Sequence, residues 1–185
     1  MRILIAGVLG GIAMFIWAAI GHDVLPLGQV GMKTIPNEAP VLAAMQSSLG
    51  DASGLYVFPG ASMTGKAAPG PQGILVYTAR PIEISPATLV PEALSEIVQS
   101  LILAVVMSAM AVGFLPRVGL AALIGVAAAM TTSASYWIWY RFPTDYTLAY
   151  MLVDWVRYVV AGIVIAIIIK PKAAAARGFP PLLGT

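Results

Sequence analysis

The chain has 185 residues, 59% of them hydrophobic and 10% charged, and its mean hydropathy is +0.90. A water-soluble domain of that composition lacks the polar surface to cover itself, so the sequence reads as a membrane protein. Cysteine is absent, which excludes disulfides, thiolate metal sites and thiol catalysis, and a net charge of +2 with no basic run interleaved with aromatics excludes a nucleic-acid reader.

Four apolar runs, 3–20, 97–115, 118–138 and 152–169, are each about long enough to cross roughly 30 Å of hydrocarbon at about 1.5 Å per helical residue. The first follows Met1-Arg2 and ends near Trp17-Ala18-Ala19, as a secretory signal would. It is longer than a usual signal core and continues into Ile20-Gly21-His22, so residues 1–20 are read as a retained first helix. Gly7 and Gly11 form a GxxxG step in it. Ser100, Ala104 and Ser108 repeat at four in the second run, and Ala121, Gly125, Ala129 and Ser133 in the third. Such small-residue stripes let helix backbones approach, and intramolecular packing is their ordinary use.

Residues 21–95 read as a small folded cap of mixed α and β character. Asn37-Glu38-Ala39-Pro40 opens a helix, with Asn37 as its cap, Val41, Leu42, Met45 and Leu49 on one face, and Gly50 just past its end. Residues 55–58 and 74–78 are rich in β-branched and aromatic types and predict a hairpin joined by a long irregular loop. A two-stranded hairpin is marginal alone, so the cap is expected to lean on the helix ends. Ser85-Pro86 starts a helix that runs past Pro91 into the second span. Within the loop, Gly60 to Lys66 imitates a phosphate-binding motif. Ala67 replaces the Ser or Thr that would hold magnesium, and Pro69-Gly70-Pro71 follows in place of a helix, so nucleotide binding is rejected.

Pro116-Arg117 is expected to join the second and third spans, residues 141–151 the third and fourth, and residues 170–185 form a tail. The charges then partition. With the N-terminus inside, the inner parts hold Arg2, Arg117, Lys170, Lys172 and Arg177 and no acid, while Asp23, Glu38, Asp51, Glu83, Glu92, Glu96, Asp145 and Asp154 all fall on the other side. Lys and Arg in short flanking segments set orientation, so both termini are expected to be cytoplasmic. The sequence thus predicts an all-α membrane protein, a four-helix transmembrane bundle over 1–20 and 96–169 with an extracytoplasmic α+β cap over 21–95.

Two groups of residues stand out as candidates for function. Trp17, Tyr136, Trp137, Trp139, Tyr140, Tyr146, Tyr150, Trp155 and Tyr158 gather near the outer helix ends, where amphipathic rings form an interfacial belt or a contact surface. Deeper down, Asp154 and Arg157 lie about 24 Å and about 20 Å from the inner boundary when counted from Lys170. Their spacing of three puts them on one helix face, and a charge at that depth calls for a partner. Glu96, His22 and Asp23 are the candidates outside that helix. An ion network pinning the helices is the plain interpretation, and a proton path, ion path or polar ligand pocket is the functional one. His22 is the only histidine, so a bis-histidine haem site is excluded. A metal site from His22, Asp23 and Glu92 or Glu96 would be weakly founded, and no HExxH or GxSxG motif occurs. Thr131-Thr132-Ser133-Ala134-Ser135 could line a polar cavity or bond back to its own helix.

Ile5-Ala6-Gly7 with Gly10-Gly11, Met14-Phe15 and Trp17, then Gly21-His22 and Leu25-Pro26-Leu27-Gly28, and finally Tyr136-Trp137 through Tyr140-Arg141-Phe142-Pro143-Thr144-Asp145-Tyr146-Thr147 resemble a group of small bacterial four-span inner-membrane proteins with no assigned activity. The resemblance spans nearly the whole chain. It implies a bacterial inner-membrane origin and a four-span layout, and it transfers no functional residue. The expectation for function is an accessory or structural subunit of a membrane assembly, partnered by the bilayer and by other membrane proteins or further copies of itself, with no cofactor. A small transporter, sensor or ligand-binding protein using the Asp154–Arg157 network is the alternative, and a membrane enzyme acting on a lipid or quinone stands third.

Overall fold

The computed structural model describes residues 1–65 and 69–170, and the side chains of Ser62 and Met63 are left out of the description. Lys66 of the phosphate-loop imitation and the tail after Lys170 therefore lie outside the described residues. The described residues form five α-helices and one two-stranded sheet: α1 (Arg2–Ala19), α2 (Glu38–Leu49), β1 (Gly54–Phe58), β2 (Gly73–Tyr77), α3 (Pro86–Ala109), α4 (Phe114–Tyr140) and α5 (Thr144–Ile168). Four helical stretches, Arg2–Val24, Pro86–Ala109, Phe114–Tyr140 and Thr144–Ile168, are long and apolar enough to cross a membrane. This is a multi-pass membrane protein.

The spans pack in the order α3, α1, α5, α4, and α3 and α4 share no packed face. Small residues decide which pairs meet. A Cβ on Gly7 would sit 2.8 Å from the Leu101 Cα and one on Gly11 2.4 Å from the Ile97 Cα, so the α1–α3 backbones approach as closely as they do only because glycine occupies both positions. The stripe Ala121, Gly125, Ala129 and Ser133 is buried, and its contacts include Trp155, Tyr158 and Gly162 of α5. Ser100 and Ala104 of α3 are buried as well. The core is made of such residues with Met14, Leu103, Met107 and Ile165, while Leu9, Val105, Leu123 and Ile167 point outward, as lipid-facing positions do.

Several boundaries differ from those read in the sequence. α1 runs on through a widened π-turn, Ile20–Val24. The turn between the second and third spans is 110–113 rather than Pro116-Arg117. Pro116 occupies the third position of α4, where its missing N–H would have had no intrahelical acceptor, so here proline opens a helix instead of ending one. Arg117 is consequently no free loop charge. It is 1% exposed, and its guanidinium donates to the Met110 carbonyl (Nη2, 2.7 Å) and to the Ile169 carbonyl (Nη1), which close the ends of α3 and α5. The last connection shrinks from 141–151 to 141–143, since Arg141 stops α4 in the left-handed conformation and Pro143 sits just ahead of α5.

The cap has the elements expected of it. β1 and β2 pair antiparallel with Leu55 opposite Val76 and Val57 opposite Ile74. Ser85 and Thr88 form a capping box at the start of α3, and Pro91 lies within that continuous helix. Asn37 departs from expectation: it precedes α2 in a left-handed conformation, and its side chain makes no capping bond. Gly60–Thr64 is a short 3-10 turn, with none of the strand-to-helix geometry a phosphate loop requires. Tyr77 ties the hairpin to α2 by donating to the Gly50 carbonyl (2.9 Å) and to Gln46 Oε1 (3.2 Å). Support from the helix ends comes at two places: Gly31 sits against Asp145 and Tyr146 at the start of α5, and Val57, Phe58 and Ile74 face Trp139, Tyr140 and Arg141 across a gap of about 520 Å³.

Candidate functional site: a carboxylate cluster around Arg157

In the cap-side half of the bundle, α3 and α5 present polar side chains toward each other in matched register. Glu92, Glu96 and Gln99 recur at four and three residues along α3, and Tyr150, Asp154 and Arg157 do the same along α5, so each set forms a single face. Arg157 Nη1 donates to Glu96 Oε1 at 2.6 Å. The same nitrogen lies 3.7 Å from Glu92 Oε1 and 3.8 Å from Asp154 Oδ1, close enough for attraction but beyond a hydrogen bond. Tyr158 Oη donates to Gln99 Oε1 at 2.9 Å, a second tie between the two helices. Glu96 is fully buried, and its Oε2 has no partner among the described residues; the same holds for Ser100 Oγ one turn further along α3.

Because α3 and α4 do not pack, a gap opens over this face of α5. It has a volume of about 270 Å³ and is lined by Glu92 and Gln99 of α3, Thr132 of α4, and Tyr150, Asp154 and Arg157 of α5, with Tyr158 beside them. The Thr132 hydroxyl donates back to the Ala128 carbonyl at 3.0 Å while lining the gap, so both readings of the hydroxyl run apply to that residue. Thr131 bonds back in the same way and faces elsewhere.

The structure brings together Glu96, Asp154 and Arg157, sets His22 beside them through Tyr150, and leaves Asp23 outside the cluster. The His22 ring nitrogen Nδ1 pairs with the Ala18 carbonyl (2.9 Å), and the ring meets Tyr150 edge to face. Asp23 is exposed and joins no salt bridge among the described residues. Both belong to the π-turn, whose buried Gly21 packs against Val153 of α5. No group of three His, Cys, Asp or Glu side chains among the described residues is disposed to hold a metal ion.

The aromatic residues form a connected run more than a scattered belt. Tyr140, Tyr136, Phe142, Tyr146 and Tyr150 follow one another with ring centroids 5.4 to 5.7 Å apart, and His22 closes the run. Trp137 donates to Thr144 Oγ1 at 3.1 Å, Trp17 to the Val153 carbonyl at 3.0 Å, and Trp139 and Trp155 are exposed. Glu92 as an ion partner, the Gln99–Tyr158 bond and Phe142 as the bridging ring escaped the sequence reading. The matched spacing on α3 and α5 was the signal for the first two.

The fold and this site define a multi-pass helical membrane protein, two of whose spans are joined midway by a partly buried, acid-rich ion cluster. Comparison with family models, curated proteins and solved structures gave no match.

Proposed function

We propose that the chain is an accessory or structural subunit of a bacterial inner-membrane assembly, with both termini cytoplasmic and the cap outside as its contact surface. The observation that carries this reading is that no described residue from 22 to 95 is buried. A segment of that length with no core cannot offset the conformational entropy of ordering it from its own contacts, so further contact has to come from outside the chain. The cap also presents apolar groups to solvent. Leu55 and Val76, paired across the hairpin, are 69% and 74% exposed, and Ile82 and Ile84 are 79% and 87% exposed. Both edges of the two-stranded sheet are open to strand addition. The orientation rests on the one-sided acids and on the basic residues flanking the opposite helix ends.

Photo-crosslinking in native membranes tests the proposal. Probes at Leu55, Val76 and Trp139 should trap a protein partner, whereas a probe at Leu123, on the lipid-facing side of α4, should not. A reporter active only in the periplasm should give signal when inserted after Gly65 and none when fused after Thr185. Probes at the cap positions that trap only lipid, or nothing, would remove the docking reading.

A further inference from the structure

We propose that the gap between α3 and α4 is a recognition site for a small organic ammonium ion, with an alkyl diammonium as its best match. This does not rest on the docking reading. Three carboxyl groups, Glu92, Glu96 and Asp154, converge on the single guanidinium of Arg157, so that with all three ionised two negative charges are in excess in a partly desolvated place. Arg157 spends its only hydrogen bond within the cluster on Glu96. Glu92 and Asp154 both line the gap, and no described group donates a hydrogen bond to either side chain. The second oxygen of the fully buried Glu96 is unpartnered as well, so the protein does not disperse the excess internally.

The walls choose the kind of cation. A bare divalent metal needs several oxygens at one point, and no such group occurs among the described residues. A gap of about 270 Å³ exceeds a single ion and suits a short alkyl chain. Tyr150 and Tyr158 supply aromatic rings for an ammonium and its adjoining methylenes, and Gln99 and Thr132 supply neutral oxygens. Two ammonium groups balance two excess carboxylates, which favours the diammonium over a monovalent amine.

The test uses the full chain in nanodiscs of neutral lipid, titrated calorimetrically with 1,4-diaminobutane, methylammonium and magnesium at one fixed ionic strength. 1,4-Diaminobutane should bind saturably and about tenfold or more tighter than methylammonium, and magnesium should not displace it. Glu92→Gln and Asp154→Asn should each weaken binding about tenfold, with helical content and thermal midpoint retained. Glu92 is half-exposed, so its variant keeps the test usable if the deeper change perturbs folding. Absence of saturable heat up to about 10 mM would show that protons alone balance the cluster, as two carboxylic acids would. Equal displacement by magnesium, or unchanged affinity in both variants, would likewise overturn the proposal.

Discussion

One arginine is buried at the end of the bundle away from the cap and another is partly buried midway along it, and the two are stabilised in opposite ways. Arg117 sits in the first turn of α4, where a cation is disfavoured by that helix's own dipole, and the terminal carbonyls of α3 and α5 outweigh it: one helix N-terminus against two C-termini. Its partners are backbone atoms, which neither titrate nor move, and no acid lies in its contacts. Arg157 is surrounded by side chains instead, with more carboxylates than it can satisfy and a gap beside them. A charge held by backbone can only fasten helices together. One held by surplus acids fastens them and also leaves a field into which a ligand can fit.

The largest effect should come from the acid-rich cluster. Arg157→Leu strands the buried Glu96 carboxylate and should destabilise the chain by about 3–5 kcal/mol in detergent unfolding, and adding Glu96→Leu should recover more than half of that loss. Loss without recovery would mean that Arg157 acts through Glu92 or Asp154 and not through Glu96. Arg117→Leu leaves two helix-end carbonyls without a charged donor and should cost about 2–3 kcal/mol. Arg117→Lys should keep part of that. No acidic substitution should rescue Arg117→Leu, and one that did would erase the distinction between the two arginines.

Tyr158→Phe tests whether the cluster is one unit. The hydroxyl bond to Gln99 is the second tie between α3 and α5, and its removal should cost about 1 kcal/mol, read as a shift in the unfolding midpoint. In the Arg157→Leu background the same change should cost less, because the helices already separate there. Full additivity would make the two contacts independent.

The four spans, the hairpin and the intramolecular use of the small-residue stripes were legible in the sequence, because hydrophobic length, β-branched and aromatic content and small-residue spacing are local properties. The helix face shared by Asp154 and Arg157 was legible too, since depth and face follow from counting residues, while Glu96 stood as one candidate partner beside His22 and Asp23. The Pro116-Arg117 turn was misplaced because proline marks both the end of one helix and the first turn of the next, and only the partners of Arg117 decide between them. Glu92 escaped for a different reason. At the start of a span it reads as an ordinary interfacial acid, and what makes it part of the site is that α3 and α4 fail to pack, a tertiary fact with no local signature. The coreless cap was likewise out of reach, since its residues have the composition of a folded unit.

The smallest effect on stability should be the most informative about the surplus of acid. Asp154 lies 3.8 Å from the guanidinium without a hydrogen bond, so its attraction to Arg157 is opposed by repulsion from Glu92 and Glu96, which converge on the same nitrogen. Taking its carboxylate out of water offsets that attraction further. Asp154→Asn should therefore change stability by no more than about 0.5 kcal/mol in either direction, against the several kcal/mol expected of its neighbour on the same helix face. Raising the salt concentration should leave that small difference nearly unchanged, since attraction and repulsion are screened together. A loss of 2 kcal/mol or more on the scale of a broken buried ion pair would make Asp154 the principal partner of Arg157. The cluster would then have no surplus carboxylate to offer, and it would fasten helices just as Arg117 does.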